Sequence, residues 1–176
     1  IDVIMSSAQI PAHERAAILQ VAEAPRFGAA LRLVDGRRAV ESAQSIGARL
    51  APLLYGQDVD ASQLYNSLQH DDRPSTRAFN GAAYALVLAE RMGLLDGVAE
   101  AAELVVGALL RDLGERLLPA TILAKPTRLS GAERSMLEAH PTIGYAELRQ
   151  QGGLAPAQLM MVYQHHECFQ GDGYPV

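Results

Sequence analysis

Hydrophobic residues recur at intervals of three and four positions along most of the chain, which is the spacing of one face of an α-helix. The alternation of hydrophobic and polar positions that is typical of strands is nearly absent, and only 5% of the residues are aromatic. The pattern therefore predicts an all-α domain.

Proline, glycine and capping residues mark where the predicted helices begin and end. The first helix is predicted from Pro11 to just before Pro25, because proline suits a first turn and disrupts a helix interior. Ser130 and Glu133 have the spacing of a capping box, which marks another helix start. The predicted helices are residues 11–24, 36–56, 58–69, 77–93, 98–113 and 130–140, two more that begin at Pro141 and Pro156, and a short helix or irregular connector at residues 117–129.

One predicted helix carries a charged residue on its apolar face. Val105 and Leu109 lie on one side of the helix at residues 98–113, and Asp112, seven residues after Val105, falls on the same side. A carboxylate buried there costs free energy unless another group compensates its charge. The sequence therefore predicts a compensating partner for Asp112.

Length and charge limit the classes of function. A chain of 176 residues is enough for one domain, or for one domain with a short extension. Hydrophobic residues make up 49% and charged residues 20%, which is typical of a globular protein. The net charge of -5 and the lack of a Lys/Arg stripe argue against binding to a nucleic-acid polymer, although a small nucleotide needs only a few local cations.

Cysteine content and apolar segments predict a cytoplasmic protein. The single cysteine, Cys168, cannot form an internal disulfide and suits a reducing compartment. The longest apolar region, residues 98–110, is interrupted by Glu100 and Glu103 and is too short to span a bilayer. Residues 1–16 lack the pattern of a signal peptide. Because the chain begins without Met and stops after a Gly/Pro-rich loop, we expect a fragment or the ordered part of a longer protein.

Three of the five histidines lie in the last quarter of the chain: His140, His165 and His166. Met136 precedes His140 by one helical turn, and Val162 precedes His166 in the same way, so both rings are predicted to point toward the core. A lone inward histidine is usually a hydrogen-bonded core residue. Three of them together with Asp112 form a ligand set for a divalent transition metal, which would also balance the carboxylate charge.

Several motifs resemble, in order and spacing, those of the HD-GYP family of HD-superfamily phosphohydrolases. The resemblance covers about residues 60–176 and is carried jointly by LAKPTRLSGAE, EAHPTIG and HHE followed by GDGYP, whereas a lone Gly-Asp-Gly would indicate only a turn. It implies an HD-superfamily helical bundle that binds two or three iron, manganese or similar ions and hydrolyses cyclic di-GMP. We therefore expect an N-terminal helical extension at residues 1–57 and an HD-GYP-like domain at residues 58–176 whose C-terminal part is missing.

The resemblance carries over to individual residues only in part. The ligands of one metal position in the family match Asp112, His140, His165 and His166, with the aspartate bridging to the neighbouring ion. At the other position, Arg77 and Arg111 stand where the family has histidines, and Glu115 replaces a lysine. The last metal-binding aspartate of the family would lie beyond Val176.

The two arginines oppose metal binding for a physical reason. A guanidinium stays protonated and has no lone pair to donate, so neither Arg77 nor Arg111 can be a ligand. At about 4 Å and an effective dielectric constant of roughly 20, one fixed positive charge opposes each unit of metal charge by about 4 kcal/mol. Our hypothesis is that Asp112 forms an ion pair with Arg77 or Arg111, in place of the metal ions that hold the helices together in the family. The alternative for Arg111 is that it turns outward at its helix end.

Two loops are candidates for contacts with ligands or partners. In the family, the GYP loop is a recognition surface for substrate or partner domains, and here it comprises Gly171, Asp172, Gly173, Tyr174 and Pro175. We expect the glycines to permit a tight loop and Tyr174 to be a partner contact or to anchor the loop through its hydroxyl. Lys125 and Arg128 could contact a ligand phosphate, although a solvated loop is the simpler interpretation.

The resemblance and the substitutions leave three alternatives for function. The first is a degenerate HD-GYP domain of bacterial cyclic di-GMP signalling, a regulatory, binding or interaction module with little or no phosphodiesterase activity. The second is an active phosphodiesterase that uses a single iron or manganese ion, and the third is a structural module that binds neither metal nor nucleotide. Expected partners are cyclic di-GMP, diguanylate-cyclase (GGDEF-type) or other signalling proteins at the GYP loop, and a second copy of the chain through the apolar stripes of the N-terminal helices.

Overall fold

The computed structural model describes residues 2–33 and 36–175, and within these ranges the fold is helical without a strand. The all-α prediction is therefore confirmed. The helices of the first half are α1 (Asp2–Met5), α2 (Ala12–Leu31), α3 (Arg37–Leu54), α4 (Ala61–Ser67) and α5 (Pro74–Arg91). Those of the second half are α6 (Val98–Leu110), α7 (Ala120–Leu123), α8 (Gly131–Glu138), α9 (His140–Gln151) and α10 (Pro156–Gln164), with a 3₁₀ turn at Leu113–Leu117.

The core lies where α2, α3, α5 and α6 meet. Each of these helices contributes a fully buried side chain, respectively Phe27, Ile46, Phe79 and Val105. Burying a side chain of this size is worth about 1.5–3 kcal/mol relative to leaving it in water. Helices α3 and α6 approach closely because Gly47 has no side chain, since a Cβ there would lie 2.9 Å from the carbonyl oxygen of Ala102. This packing holds α6 against α3.

The buried side-chain amides of Gln20 in α2 and Asn80 in α5 bond to each other and to the backbone of Gln69 in the loop between α4 and α5, and we call this set the amide clasp. The side chain of Gln20 donates to Asn80 Oδ1 at 2.5 Å and accepts from the backbone N–H of Gln69 at 2.7 Å. Asn80 Nδ2 donates to the carbonyl oxygen of Gln69 at 2.9 Å. Because Gln20 and Asn80 are buried, these bonds satisfy polar groups that would otherwise be costly. The N-terminal helices thus share core and polar contacts with the rest, and the division at residue 57 stays a prediction.

Three predicted helix boundaries are wrong. Helix α5 begins at Pro74 rather than at residue 77. Pro25 lies inside α2 rather than after its end. Its ring removes the hydrogen bond to the carbonyl of Val21, but both residues are exposed, so that carbonyl can bond to water. The helix predicted at residues 98–113 ends at Leu110, and Asp112 therefore follows the helix instead of lying on its buried face.

Other predicted boundaries are confirmed. Ser130 and Glu133 form a capping box at the start of α8, and Pro141 and Pro156 stand in the first turns of α9 and α10. Gly56, with φ of 74°, follows the end of α3 as predicted. Within the described ranges, no helix is both long and apolar enough to span a membrane.

Candidate metal centre

The site forms where the end of α6 meets the start of α9. Asp112 follows α6 closely, and His140 is the first residue of α9. Gly114, in the 3₁₀ turn, lets the two segments touch: a Cβ on it would overlap the carbonyl oxygen of His140 and lie 2.8 Å from the backbone nitrogen of Gly144. The absence of a side chain at Gly114 is therefore what allows His140 to lie beside Asp112.

Four side chains converge at this point. Nε2 of His165 lies 3.1 Å from Asp112 Oδ1 and 3.1 Å from Nε2 of His140. Nε2 of His140 lies 3.7 Å from Asp112 Oδ1. With His166 included, each of the four residues offers one ligand atom, and these atoms all lie within 4.8 Å of one another. The structure thus brings together the four residues that the sequence predicted as metal ligands.

Hydrogen bonds of two rings determine which nitrogens face the cluster. Nδ1 of His140 lies 2.7 Å from the carbonyl oxygen of Leu137, and Nδ1 of His165 lies 2.9 Å from that of Val162. A carbonyl oxygen only accepts, so each Nδ1 carries a proton and each neutral ring has its lone pair on Nε2. Two lone pairs and a carboxylate oxygen then face one another, and only a further proton or a metal ion between them relieves the repulsion.

These groups fit a divalent transition metal. Imidazole and carboxylate bind such an ion at about 2.0–2.2 Å, which sets neighbouring ligand atoms roughly 3 Å apart. His165 has this spacing from both Asp112 and His140. The backbone carbonyls that accept from the Nδ1 atoms orient both rings, as is usual for metal-binding histidines. The cluster can therefore hold a metal ion.

Electrostatics at the cluster favour an ionised carboxylate with cations beside it. Burial opposes the charge on Asp112, but the contacts with His140 and His165 and the charge of Arg111 hold its pKa well below the usual range. Burial also opposes a charged His140, but the contact with Asp112 outweighs it and raises the pKa of His140 above its ordinary value. The carboxylate thus stays ionised and draws a proton or a metal ion onto the histidines.

His140 is buried as predicted, but for a different reason. Helix α8 ends at Glu138 and α9 begins at His140, so Met136 is not on the same helix and is 52% exposed. Packing of α9 on the 3₁₀ turn at Leu113–Leu117 buries the ring instead. A tertiary contact, rather than a helix face, sets its position.

His166 is exposed, and the prediction that it points toward the core is wrong. Helix α10 ends at Gln164, so His166 lies beyond the helix face that contains Val162. Its ring stacks on Tyr174 with centroids 4.6 Å apart and lies 4.2 Å from the ring of His165. Partial desolvation of its ring by these neighbours, with a further contribution from the charge of His165, lowers the pKa of His166. His166 is therefore readily available as a neutral ring at the outer edge of the cluster.

The second carboxylate oxygen of Asp112 faces an arginine. Nε of Arg111 lies 3.2 Å from Oδ2, and Nη1 of the same side chain donates to the carbonyl oxygen of Ala108 at 3.1 Å. The guanidinium lies against Gly81 of α5, where a Cβ would be 2.5 Å from Nη1. The hypothesis of an ion pair with Asp112 is thus confirmed for Arg111, whose side chain does not turn outward.

Arg77 and Glu115 take other positions. Arg77 is exposed in a cleft beside Tyr65 and Tyr84, and in the part of the chain that the structure describes it forms no ion pair with Asp112. Its place on α5 faces this surface cleft rather than the carboxylate, so the alternative pairing is wrong. Glu115 is half-buried, and burial together with the charge of Asp112 raises its pKa.

The GYP loop folds back against the cluster. The backbone N–H of Tyr174 donates to the carbonyl oxygen of His166 at 3.3 Å, and that of Gly173 donates to Glu167 Oε1 at 3.1 Å. A Cβ on Gly173 would lie 2.5 Å from the backbone nitrogen of Cys168, so the tight loop requires glycine there. Tyr174 is therefore half-buried on His166 rather than displayed outward.

The remaining predicted residues lie at the surface or form other contacts. The exposed ones are Gly171, Asp172 and Arg128. Pro175 is half-buried. Nζ of Lys125 pairs with Glu133 at 2.6 Å, so the charge of this lysine is already compensated. Their roles as contact residues stay predictions.

Comparison with known proteins finds similarity to proteins named as phosphodiesterases of cyclic dinucleotides. The chain is 28% identical over 116 residues to the cyclic di-GMP phosphodiesterase response regulator RpfG of Xanthomonas campestris, covering 65% of this chain and 30% of that protein. It is 31% identical over 93 residues to the cyclic di-GMP phosphodiesterase PA4108 of Pseudomonas aeruginosa, covering 53% and 22%. It is 30% identical over 168 residues to the 3'3'-cGAMP-specific phosphodiesterase 3 of Vibrio cholerae, covering 89% and 34%. The chain is a member of the HD-GYP family.

The HD-GYP chain spans only part of the length of these relatives, between 22% and 34%. No protein-family model matches it, and no solved structure does. Its membership is supported by the relatives together with the motif residues that meet at the cluster.

Two contacts at this HD-GYP site were not predicted. One is the position of Arg111 on Gly81, and the other is the stacking of Tyr174 on His166. A glycine inside an alanine-rich helix is a signal of close approach and could have pointed to the first contact. No local pattern signals the second, because it depends on how the loop after α10 turns back.

Proposed function

We propose that this chain is a degenerate HD-GYP domain of bacterial cyclic di-GMP signalling, a cytoplasmic regulatory module that binds its nucleotide with little or no hydrolysis. The observation that carries the proposal is the ion pair between Arg111 Nε and Asp112 Oδ2 at 3.2 Å. The family has a metal-binding histidine where Arg111 stands. A fixed cation next to the bridging carboxylate leaves a second ion without this ligand and in an unfavourable field.

One divalent transition metal, iron or manganese, would be held by Asp112, His140, His165 and His166. Both ions accept imidazole and carboxylate ligands. When bound, such an ion supplies a Lewis acid that polarises a phosphoryl oxygen and lowers the pKa of a bound water. The residues of the chain orient the ligand atoms: the carbonyls of Leu137 and Val162 hold the rings, and Asp112 contributes Oδ1.

Two substitutions act against hydrolysis. A two-metal site activates the attacking hydroxide with both ions and stabilises the attacking and leaving oxygens. Arg111 cannot contribute a lone pair to such a site. Glu115 places a carboxylate where the family has a lysine near the scissile phosphate, and an ionised carboxylate there repels the phosphate. Binding is therefore favoured over turnover.

Cyclic di-GMP is the proposed ligand because two of the relatives are named as its phosphodiesterases. A relative named for 3'3'-cGAMP makes that molecule the second cyclic dinucleotide to test. GGDEF-type or other signalling proteins would contact the GYP loop, residues 171–175, next to which Phe169 is fully exposed. A homodimer through the N-terminal helices is a further part of the proposal.

The completeness of the histidine cluster favours a second function. All four residues of one metal position converge, with their ligand atoms within 4.8 Å of one another. An active phosphodiesterase that uses a single metal ion is therefore the alternative. The two functions differ in turnover rather than in metal content.

Hydrolysis of cyclic di-GMP and of 3'3'-cGAMP by the purified chain, supplied with iron or manganese, tests the proposal. We expect nucleotide binding with turnover far below about 1 per second, the lower end of typical enzyme rates. Turnover gained only by a variant with Arg77→His, Arg111→His and Glu115→Lys would support the proposal strongly. Turnover above about 1 per second by the unmodified chain would contradict the proposal and support the single-metal enzyme.

Two controls make this result specific. Adding His165→Ala to the triple variant removes a metal ligand and should abolish the gained turnover. Arg134→His, used in place of Arg111→His, changes an arginine that pairs with Glu138 rather than with Asp112 and should leave turnover low. An equal gain in both arginine variants would show that the position of Arg111 is not the cause.

A further inference from the structure

A cavity of about 450 Å³ lies between α2, the start of α5 and the end of α6 with its 3₁₀ turn. Much of its wall is apolar and includes Leu31, Leu109, Leu113 and Leu123. None of the histidines of the cluster lines it, although Asp112 does. The cavity therefore adjoins the candidate metal centre at Asp112 and also includes Glu115 in its wall.

Ser75 points to a ligand in this cavity. It lies in the first turn of α5, lines the cavity and is only 4% exposed. Among the described residues, its hydroxyl has no hydrogen-bond partner. Gly28 of α2 faces it, and a Cβ on Gly28 would lie 2.8 Å from Oγ. The hydroxyl is therefore free to donate a hydrogen bond to a group bound in the cavity.

Charge at the same wall is positive. Arg32 lines the cavity, and its Nη1 lies 3.8 Å from where a Cβ of Gly28 would be. Arg73 and Arg116 also line it, but their charges are compensated by Asp71 and by Glu147. Across residues 2–33 and 36–175, Arg32 forms no ion pair. Arg32 therefore has no ion-pair partner within the described residues that would compete with an anion in the cavity.

The backbone of α5 adds to the positive wall. Arg73, at the N-cap of this 18-residue helix, provides no side-chain cap, and the first turn at Pro74 and Ser75 borders the cavity. The N-terminus of a helix carries a partial positive charge. Pro74 has no N–H, and the N–H groups of Thr76 and Arg77 already bond to the carbonyl oxygen of Arg73, so the N–H of Ser75 is the donor that this first turn offers. Arg32, Ser75 and the helix start thus offer a charge and donors to one anionic group.

We propose that this cavity binds a small organic anion, with its phosphate or carboxylate at Arg32, Ser75 and the start of α5 and its apolar body against the leucines. The wall that contains Asp112 and Glu115 disfavours a second negative charge, so the ligand carries its charge at one end. This site does not depend on the proposed cyclic dinucleotide chemistry.

Isothermal titration of the metal-free protein with phenyl phosphate and with benzoate tests the proposal, since the two probes share an apolar body and differ in head group. We expect at least one of them to bind with a dissociation constant of about 1 mM or lower. Arg32→Gln should weaken that binding at least about tenfold, or about 1.4 kcal/mol. Ser75→Ala should weaken it by a smaller factor. Phenol, which lacks the charge, should bind at least about tenfold more weakly than the better probe.

Two variants outside the cavity serve as controls. Arg38→Gln removes an exposed arginine of α3 and should leave the affinity unchanged. His165→Ala alters the histidine cluster and should also leave it unchanged. If His165→Ala weakens binding as much as Arg32→Gln does, the anion binds at the cluster and the proposal is wrong.

Three further outcomes would overturn the proposal. The first is that neither probe binds at about 10 mM. The second is equal affinity of Arg32→Gln and the unmodified chain. The third is equal affinity for inorganic phosphate and phenyl phosphate, since an apolar wall must contribute to binding the ring. Arg32 is exposed at the end of α2, so its replacement should leave the fold intact, which circular dichroism checks.

Discussion

The two oxygen atoms of Asp112 face partners of opposite character, which we call the histidine side and the arginine side. On the histidine side, Oδ1 lies near His165 and His140, whose Nε2 atoms can bind a metal ion. On the arginine side, Oδ2 lies beside Arg111, whose guanidinium stays charged. One carboxylate can therefore keep the ligand geometry of one metal position while a fixed cation takes the other.

Breaking the backbone contact that builds the histidine side should have the largest effect. Gly114→Ala would place a methyl group onto the carbonyl oxygen of His140 and 2.8 Å from the backbone nitrogen of Gly144. Backbone atoms cannot move aside without distorting the fold, so we expect the free energy of unfolding to fall by at least about 3 kcal/mol. Urea denaturation followed by circular dichroism measures it. Gly131→Ala is the matched control, because a Cβ there meets nothing within 4 Å. Equal stability of the two variants would contradict this account of Gly114.

Removing one imidazole from the histidine side should have the next largest effect. We expect His165→Ala to weaken manganese binding at least about 100-fold, since His165 contacts both Asp112 and His140 and even indirect supports of metal ligands are worth about 10–100-fold. Titration calorimetry measures the affinity, and metal analysis of the purified protein gives the stoichiometry. His13→Ala, a histidine of α2 outside the cluster, should change neither. Unchanged affinity in His165→Ala would remove His165 from the metal site.

Neutralising the arginine side should strengthen metal binding by a smaller factor. Arg111→Gln keeps a polar side chain but removes the charge beside Asp112. The Coulomb estimate is about 4 kcal/mol per unit of metal charge, but the arginine side chain is 25% exposed and screened by water, so we expect a gain of about tenfold. Manganese titration of this variant and of Arg134→Gln, which lies in an exposed pair, separates the local effect from net charge. An equal gain in both would assign the effect to net charge alone.

The smallest expected effect is that of pH on the metal-free protein. Burial opposes a charged His140, but Asp112 outweighs it and raises the folded pKa of His140 above the ordinary 6.5. Stability from this group is therefore full below pH 6.5 and is lost as the pH rises through the folded pKa. Urea midpoints should fall over this range, and the fall should vanish in His140→Gln. An unchanged pH profile in that variant would show that another group titrates there.

The carboxylate of Asp112 makes the stability of the protein depend on pH in the acidic range. The folded pKa of Asp112 is lowered by the histidines and by Arg111, despite burial. Its contribution to stability is therefore present above the ordinary value of 3.8 and is lost as the pH falls toward the folded pKa.

The sequence predicted which residues form the candidate site more accurately than it predicted the local structure that positions them. Motif order placed Asp112 and the three histidines in one cluster, and the structure brings them together. The local reasons were less accurate, because α6 ends before Asp112 and α10 ends before His166. Helical periodicity describes neighbours along one helix, whereas these residues lie just past helix ends. The contacts that position them come from elsewhere in the fold.

Local signals were most accurate where the physics is local. The capping box at Ser130 and Glu133 involves only one turn of chain, and its prediction is confirmed. The helix end predicted at Pro25 was wrong because a proline inside a helix costs only about 3 kcal/mol of stability. The 20-residue helix α2 tolerates this cost where Pro25 is exposed to water. The approach of Gly114 to His140 joins residues far apart in sequence and has no signature within either segment.

The amide clasp bears on how this polypeptide can be divided for biochemical work. Cutting at residue 57 would delete Gln20 and leave the N–H of Gln69 and the side chain of Asn80 without their bonding partners. It would also uncover the face of α5 around Phe79 that the earlier helices shield. A shortened chain should therefore begin no later than Ala12. Without α2, another polypeptide would have to cover the apolar face of α5.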